Sequence, residues 1–432
     1  MEIQPWIVVI AYNRERSLER LLNSVGAADY PENTEVPLII SIDKSDNGEV
    51  LRTAESFEWR YGPKRIEARP ERLGLKRHVL LCGDYSLEYG SAVVLEDDLY
   101  VSPEFYRFAV SALTFSSGQE RLGGISLYNH LLNVHAREPF YALDDGVDNY
   151  FLQFASSWGQ AYTKKQWEGF KEWLRGLEEK TGPSSRGTSN ALAAPAAVSA
   201  QGNWADTGNP RIPANVASWS ESSWLKYHIA YLIEKDMYFL YPRVSLTTNF
   251  MSEGEHSREE NQDLQVPLLM GGRGEYRFSE FSESEAVYDA FFENTGLKRI
   301  IGKIEKESFG NGLDSSFEDI CIDLYGYRAR TAAINNKNRN ENGSQSLTEQ
   351  SRYVLTSASL PYRVIKSYGL SLRPIDLNII TEQPGEVFFL YDTKEAGPAP
   401  KVDRGRKYLY DYRALSLKKI AAFLKTKVRM RK

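Results

Sequence analysis

A chain of 432 residues, 42% apolar and 26% charged, has the length for two structured domains and the composition of an ordinary globular protein. A formal charge of −5 and a pI near 5.8 exclude any global electrostatic pull toward nucleic acid. No run approaches the ~18–20 apolar residues that span a bilayer, and two distant cysteines, Cys82 and Cys321, exclude a disulfide framework and fit a reducing compartment.

The amino terminus lacks a basic segment followed by a hydrophobic core, so the expected location is the cytoplasm. Trp6 to Ile10 reads as a buried strand, broken at Ala11-Tyr12-Asn13-Arg14 and followed by a helix with Leu18, Leu21, Leu22 and Val25 on one face. Pro37 to Ile42 is a second strand closed by Asp43, and a helix starts near Gly48. A shorter strand includes Ile66, a helix runs from Leu75 to Tyr89, and the apolar, β-branched run from Ala92 to Leu95 is a further strand. Strands alternating with helices predict a parallel, doubly wound sheet.

Further on, a helix is expected from Pro103 to Phe115, a strand from Gly123 to Tyr128, and another helix through Trp167 and Trp173. Between Thr181 and Ala214 the chain turns to Gly, Ser, Ala, Pro and Asn, the chemistry of a long loop or lid. A helix from Ser220 carries Trp224, Tyr227, His228 and Tyr231, and strands are expected over Met237 to Tyr241 and Val244 to Phe250. A polar linker follows, then a small module with a strand near Val387 to Tyr391. Leu417 to Lys432 carries seven Lys or Arg and no acid, with Leu417, Ile420, Ala421, Leu424 and Val428 on one helical face. Such a helix suits an anionic membrane surface, or else docks as an ordinary terminal helix. The expected domains are 1–330, with the loop at about 181–214, and 331–432.

The most informative stretch is the strand that ends in Glu96-Asp97-Asp98. Three carboxylates cannot be buried without partners, so they belong where the strand emerges, at the carboxyl edge where open α/β sheets bind ligands. Hard cations such as Mg²⁺ and Mn²⁺ take oxygen ligands and share protein carboxylates with substrate phosphates. The alternative is an acidic surface turn. Aromatics at 12%, with 26 Tyr and 8 Trp, offer faces for stacking on sugars and bases, but serve equally for core packing.

In order, Ile10-Ala11-Tyr12-Asn13-Arg14, Ser41-Ile42-Asp43, Leu95-Glu96-Asp97-Asp98-Leu99-Tyr100-Val101-Ser102-Pro103-Glu104-Phe105, Ser157-Trp158-Gly159 and Tyr241-Pro242-Arg243-Val244-Ser245 resemble the GT-A nucleotide-sugar glycosyltransferases. The likeness is to the inverting N-acetylglucosaminyltransferase I-like group and to bacterial polysaccharide glycosyltransferases, over roughly residues 5 to 260. It implies an α/β fold of the GT-A kind, a mostly parallel open sheet with helices on both faces, plus a small C-terminal α+β extension. It implies a UDP-sugar donor held at Ala11, Tyr12, Asn13, Arg14 and Asp43, with Glu96 and Asp97 on ribose or metal-bound water. Asp98 would be the ligand to Mn²⁺ or Mg²⁺, with His256 as a second ligand. Glu221, in Trp219-Ser220-Glu221-Ser222-Ser223-Trp224, stands where the group carries its general base, with Asp206 as second choice. The spacing departs from the group's acid-acid-Trp pattern, and helix capping is an equal reading of Glu221. Trp158, Gly159 and Trp224 would line the acceptor and donor pocket. The implied reaction moves sugar to a saccharide or lipid-linked acceptor in bacterial surface polysaccharide synthesis, at the inner face of the cell membrane. Two other readings are a sugar-phosphate nucleotidyltransferase, although no Gly-rich loop follows the first strand, and a non-catalytic binding protein on the same scaffold.

Overall fold

A computed structural model describes residues 3–181, 209–250, 264–302, 319–329 and 351–402. The chain divides into two compact units, Met1–Asn129 with Asp144–Ala290, and His130–Leu143 with Phe291–Lys432. The second unit thus begins at Phe291 and also takes the segment His130–Leu143.

The first unit begins with β1 (Trp6–Ala11), α1 (Glu15–Gly26), β2 (Leu38–Ile42), α2 (Gly48–Ser56), β3 (Lys64–Ala68), α3 (Leu75–Tyr89) and β4 (Ser91–Glu96). These alternate as their periodicities predict. A short β5 (Leu99–Val101) leads into α4 (Phe105–Ser116) and β6 (Leu122–Ser126). A hairpin of β7 (Leu132–Asn133) and β8 (Glu138–Pro139) belongs to the second unit. The first unit resumes with β9 (Asn149–Leu152), β10 (Gln160–Thr163), α5 (Lys164–Thr181), α6 (Ala214–Ala217), α7 (Trp224–Glu234), β11 (Tyr238–Pro242), β12 (Thr247–Asn249) and β13 (Val287–Tyr288).

Nine strands form one sheet in the order β13-β9-β11-β6-β10-β4-β1-β2-β3. The block β4-β1-β2-β3 is parallel, and β6 pairs β11 in parallel. As a mostly parallel sheet allows, β10 runs antiparallel between β4 and β6, and β9 antiparallel to β11. The fold is therefore a mixed α/β sheet, mostly parallel, with helices on both faces. Along β1, Ile7, Val9 and Ala11 pack with Leu18, Leu21, Leu22 and Val25 of α1 and with Phe105, Phe108 and Ala109 of α4. The alternate residues Val8 and Ile10 pack the other way, onto Val79, Cys82 and Tyr85 of α3 and Trp224 of α7. A strand apolar on both faces is what a two-sided cover requires.

The second unit holds β14 (Ile320–Asp323), β15 (Tyr353–Thr356), β16 (Tyr362–Tyr368) and β17 (Phe388–Ala396) in the order β14-β15-β17-β16. Its core includes Ile322, Leu355, Tyr368, Phe388 and Leu390. The strand foreseen near Val387 to Tyr391 is β17. Cys82 and Cys321 are both buried and neither is in a disulfide. Among the described residues no helix is long and apolar enough to cross a membrane. The basic stretch Leu417 to Lys432 lies outside them, as does nearly all of the long loop after α5.

Candidate active site

The carboxyl ends of β1, β2 and β4 lie side by side, with Ile10 opposite Glu96 and Ala11 opposite Ile42. The polar residues that end each strand are therefore brought to one edge. Ala11 is buried in the strand and shapes the floor. The Tyr12 ring lies under the Arg72 guanidinium at 5.0 Å. Asn47, the N-cap of α2, donates to the Asn13 carbonyl at 3.0 Å and to Glu15 at 2.8 Å, fastening the loop after β1 to the loop after β2.

Arg14 precedes α1 and turns its guanidinium onto the acids: Nη2 pairs with Asp97 Oδ1 and lies 3.4 Å from Asp98 Oδ2. Burial raises Glu96 well above the usual carboxylate range, helped by Asp98 and Asp97. Burial likewise raises Asp97, to about 6, and Asp98, against the pull of Arg14. One guanidinium thus answers three carboxylates. Among the described residues, Asp98 Oδ1 is buried without a hydrogen-bond partner, and so is Asn249 Oδ1. These are hard oxygen donors in a place short of positive charge, which fits Mg²⁺ or Mn²⁺. Among the described residues no group of three or more His, Cys, Asp or Glu could hold an ion alone, so water and phosphate oxygens would have to complete the shell.

Asp43 is 4% exposed and already committed: Oδ1 accepts from the Lys44 and Leu73 N–H groups at 2.9 and 2.7 Å, Oδ2 from Gly74 N–H at 2.9 Å. It fixes the turn that opens α3, where Gly74 adopts φ +77°. Behind it, Ser41 Oγ lies 2.7 Å from His78 Nε2 and accepts from Arg69 at 3.0 Å. Burial lowers His78 to about 4, so the ring is neutral. The segment Ser102-Pro103-Glu104-Phe105 bends the chain from β5 into α4, with Ser102 Oγ accepting from Glu104 N–H at 3.1 Å. Its distinctiveness in the sequence is that of a turn.

Extending the register of β10 against β4 sets Trp158 level with Glu96. Trp158 is half-buried against Tyr128, ring centroids 4.7 Å apart, and its carbonyl accepts from Thr247 Oγ1 at 2.5 Å. Gly159 adopts φ +89°, and an added Cβ would sit 2.8 Å from Thr247 Cγ2. Thr247 opens β12, which pairs antiparallel with β5 directly after the acids. The structure therefore brings Arg14, Glu96, Asp97, Asp98, Trp158 and Gly159 to one edge, with Asn249 beside them.

Trp224 is 2% exposed and packs in the core with Val79 and Tyr85 against β1 and β4. Glu221 lies in the turn before α7, where its Oε1 accepts from Lys226 Nζ at 2.5 Å and its Oε2 from the Tyr227 hydroxyl. Burial works to raise Glu221, but the bonds from Lys226 and Tyr227 and the Lys226 charge outweigh it, so the net shift is downward. Ser223, not Glu221, caps α7, accepting from Lys226 N–H. Asp206 and His256 lie outside the described residues. The sequence reading passed over Asn249 and Lys226, since an asparagine at a strand end and a lysine in a helix carry no pattern.

No family model matches the chain. It is 24% identical over 192 residues to an α-1,3-mannosyl-glycoprotein 2-β-N-acetylglucosaminyltransferase of Arabidopsis thaliana, covering 41% of this chain and 43% of the relative. That relative is an N-acetylglucosaminyltransferase I-like enzyme, the group the motifs resemble, and the chain spans less than half its length. Solved structures found similar include a mannosyltransferase from Pyrobaculum calidifontis in complex with GDP-Man and Mn²⁺, at 16% identity and TM-score 0.28, over 40% of this chain and 47% of that one. S. aureus TarS 1–349 in complex with UDP matches at 14% identity and TM-score 0.29, over 39% and 49%. At such scores the fold is read from the strand order of this chain and not from these neighbours.

Proposed function

We propose that the chain is a metal-dependent, inverting glycosyltransferase that moves sugar from a UDP-sugar to a saccharide or lipid-linked acceptor in bacterial surface polysaccharide synthesis. The observation that carries the reading is the cluster Glu96-Asp97-Asp98 at the carboxyl edge of the sheet, under a single guanidinium, with a buried and unpartnered Asp98 oxygen. The partial match to an N-acetylglucosaminyltransferase supports the reaction class.

In this reading Asp98 would hold the cation, with His256 as a second ligand, and the chemistry supplied there would be neutralisation of charge on the departing nucleoside diphosphate. Arg14 orients Asp97 and Asp98. Asp43 shapes the wall for the base by fixing the Leu73–Gly74 turn, while Ala11, Tyr12 and Asn13 form its floor. Trp158 and Gly159 face the sugar side. Glu221, kept ionised by Lys226 and Tyr227, accepts the proton of the attacking hydroxyl, with Asp206 as the second candidate. The basic stretch from Leu417 holds the protein near an anionic membrane surface that carries the acceptor.

Thermal denaturation of the full chain tests the donor site. UDP with Mn²⁺ raises the melting temperature more than either alone, by mass action on the folded state. Asp98→Ala abolishes the metal-dependent part. Metal-dependent UDP binding unchanged in that variant would sink the assignment.

A further inference from the structure

β12 ends at Asn249, opposite Leu99 and so one residue past Asp98 in the partner strand. The end of β12 is pinned there. Phe250 N–H donates to the Asp98 carbonyl at 2.8 Å. The Phe250 ring lies under the Arg20 guanidinium at 4.2 Å and against Tyr100 at 6.4 Å. The pairing of β12 with β5 sets Asn249 beside Asp98, whose carboxyl pKa the Asn249 amide works to lower.

Asn249 is 2% exposed, and its Oδ1 has no hydrogen-bond partner. A buried amide carbonyl left unmatched is destabilising, so its setting calls for a positive or proton-bearing visitor. Asp98 divides its two oxygens: Oδ2 faces Arg14 at 3.4 Å, and Oδ1 has no partner. Two unmatched oxygens on neighbouring residues of paired strands, one anionic and one neutral, are the donors a hard cation takes. A neutral oxygen has a further merit here. It adds a ligand without adding negative charge to a cluster already holding three acids.

We propose that Asn249 Oδ1 is a protein ligand, beside Asp98, to the divalent cation of this site. The inference rests on the metal-dependent reading above and assigns it a ligand that no motif marks. β12 thereby does more than brace β5; it delivers a neutral oxygen ligand to the ion.

The test follows free Mn²⁺ by its paramagnetic resonance signal as the full chain is titrated with UDP present. Asn249→Leu is expected to weaken Mn²⁺ binding by roughly tenfold or more. Asn249→Cys, close to the natural side chain in size, keeps the assay informative if the leucine variant folds poorly. A soft thiolate should shift preference from Mn²⁺ to Cd²⁺, which a merely structural asparagine would not do. Mn²⁺ binding equal to wild type in the variants, with no gain for Cd²⁺, overturns the Asn249 assignment alone. Wild-type protein that takes up no Mn²⁺ even with UDP overturns it together with the metal-dependent reading.

Discussion

Arg14 stands 25% exposed with one guanidinium against three acids. Removing it leaves Asp97 and Asp98 as buried charges without a counter-ion, a loss that dominates the energetics of broken buried pairs. Arg14→Ala is therefore expected to lower stability by about 1–3 kcal/mol in ligand-free protein, the lower end reflecting its partial exposure. Added Mn²⁺ should recover much of that loss, as chemical denaturation with and without metal would show. Glu221 presents the opposite arrangement, one carboxylate between two donors, Lys226 and Tyr227. If it takes the acceptor's proton, Glu221→Gln keeps UDP–Mn²⁺ binding and loses sugar transfer by at least ~100-fold. Transfer at the wild-type rate, with only a lower melting temperature, would leave Glu221 as the counter-ion of Lys226.

At the scale of elements, the site depends on how β10 and β12 meet. Gly159 adopts φ +89°, a region costly for any residue with a Cβ, and Thr247 leaves no room for one. Gly159→Ala is expected to cost about 1–3 kcal/mol from backbone strain. It should also push Thr247, and with it the strand that ends at Asn249, so Mn²⁺ affinity falls along with the melting temperature. A variant that melts lower yet binds Mn²⁺ normally would disconnect the turn from the ion. Asp43 illustrates a second coupling: its three backbone acceptor bonds make the start of α3 and the wall of the site a single feature.

At the scale of the whole molecule, the buried histidines among the described residues work against stability in acid. His228 stacks on Phe170 at 4.1 Å, ringed by Tyr162, Trp167, Trp224, Tyr231 and Phe239, with no charged side chain among these neighbours. Burial lowers it to about 3. The unfolded chain takes up a proton below about 6.5, whereas the folded one does not until about 3. The folded state therefore binds fewer protons in that window, and stability falls as pH drops through it. His78 follows the same sign, its Asp43 neighbour opposing and its Arg69 neighbour adding to the effect of burial, and His130 does so in the second unit. His228→Phe should leave the melting temperature near neutral pH little changed and flatten its decline between about pH 6.5 and 4. An unchanged slope would mean that other groups dominate.

Much of the sheet could be read from local pattern. The β-branched runs Ile7 to Ile10, Leu38 to Ile42 and Ala92 to Leu95 have one physical outcome, strands covered on both faces, and α3 falls on the predicted Leu75 to Tyr89. The acid triplet was visible for the same reason: charge directly after an apolar strand has only the strand's exit to occupy. What the tertiary structure alone decided are pairings between distant segments. Arg14 meets Asp97 and Asn249 comes beside Asp98 because strand order and register bring them together. The antiparallel entry of β10 and the burial of Trp224 are of the same kind. Hydrophobic periodicity records how far each residue lies from water; it carries no information on which buried oxygen is left without a partner.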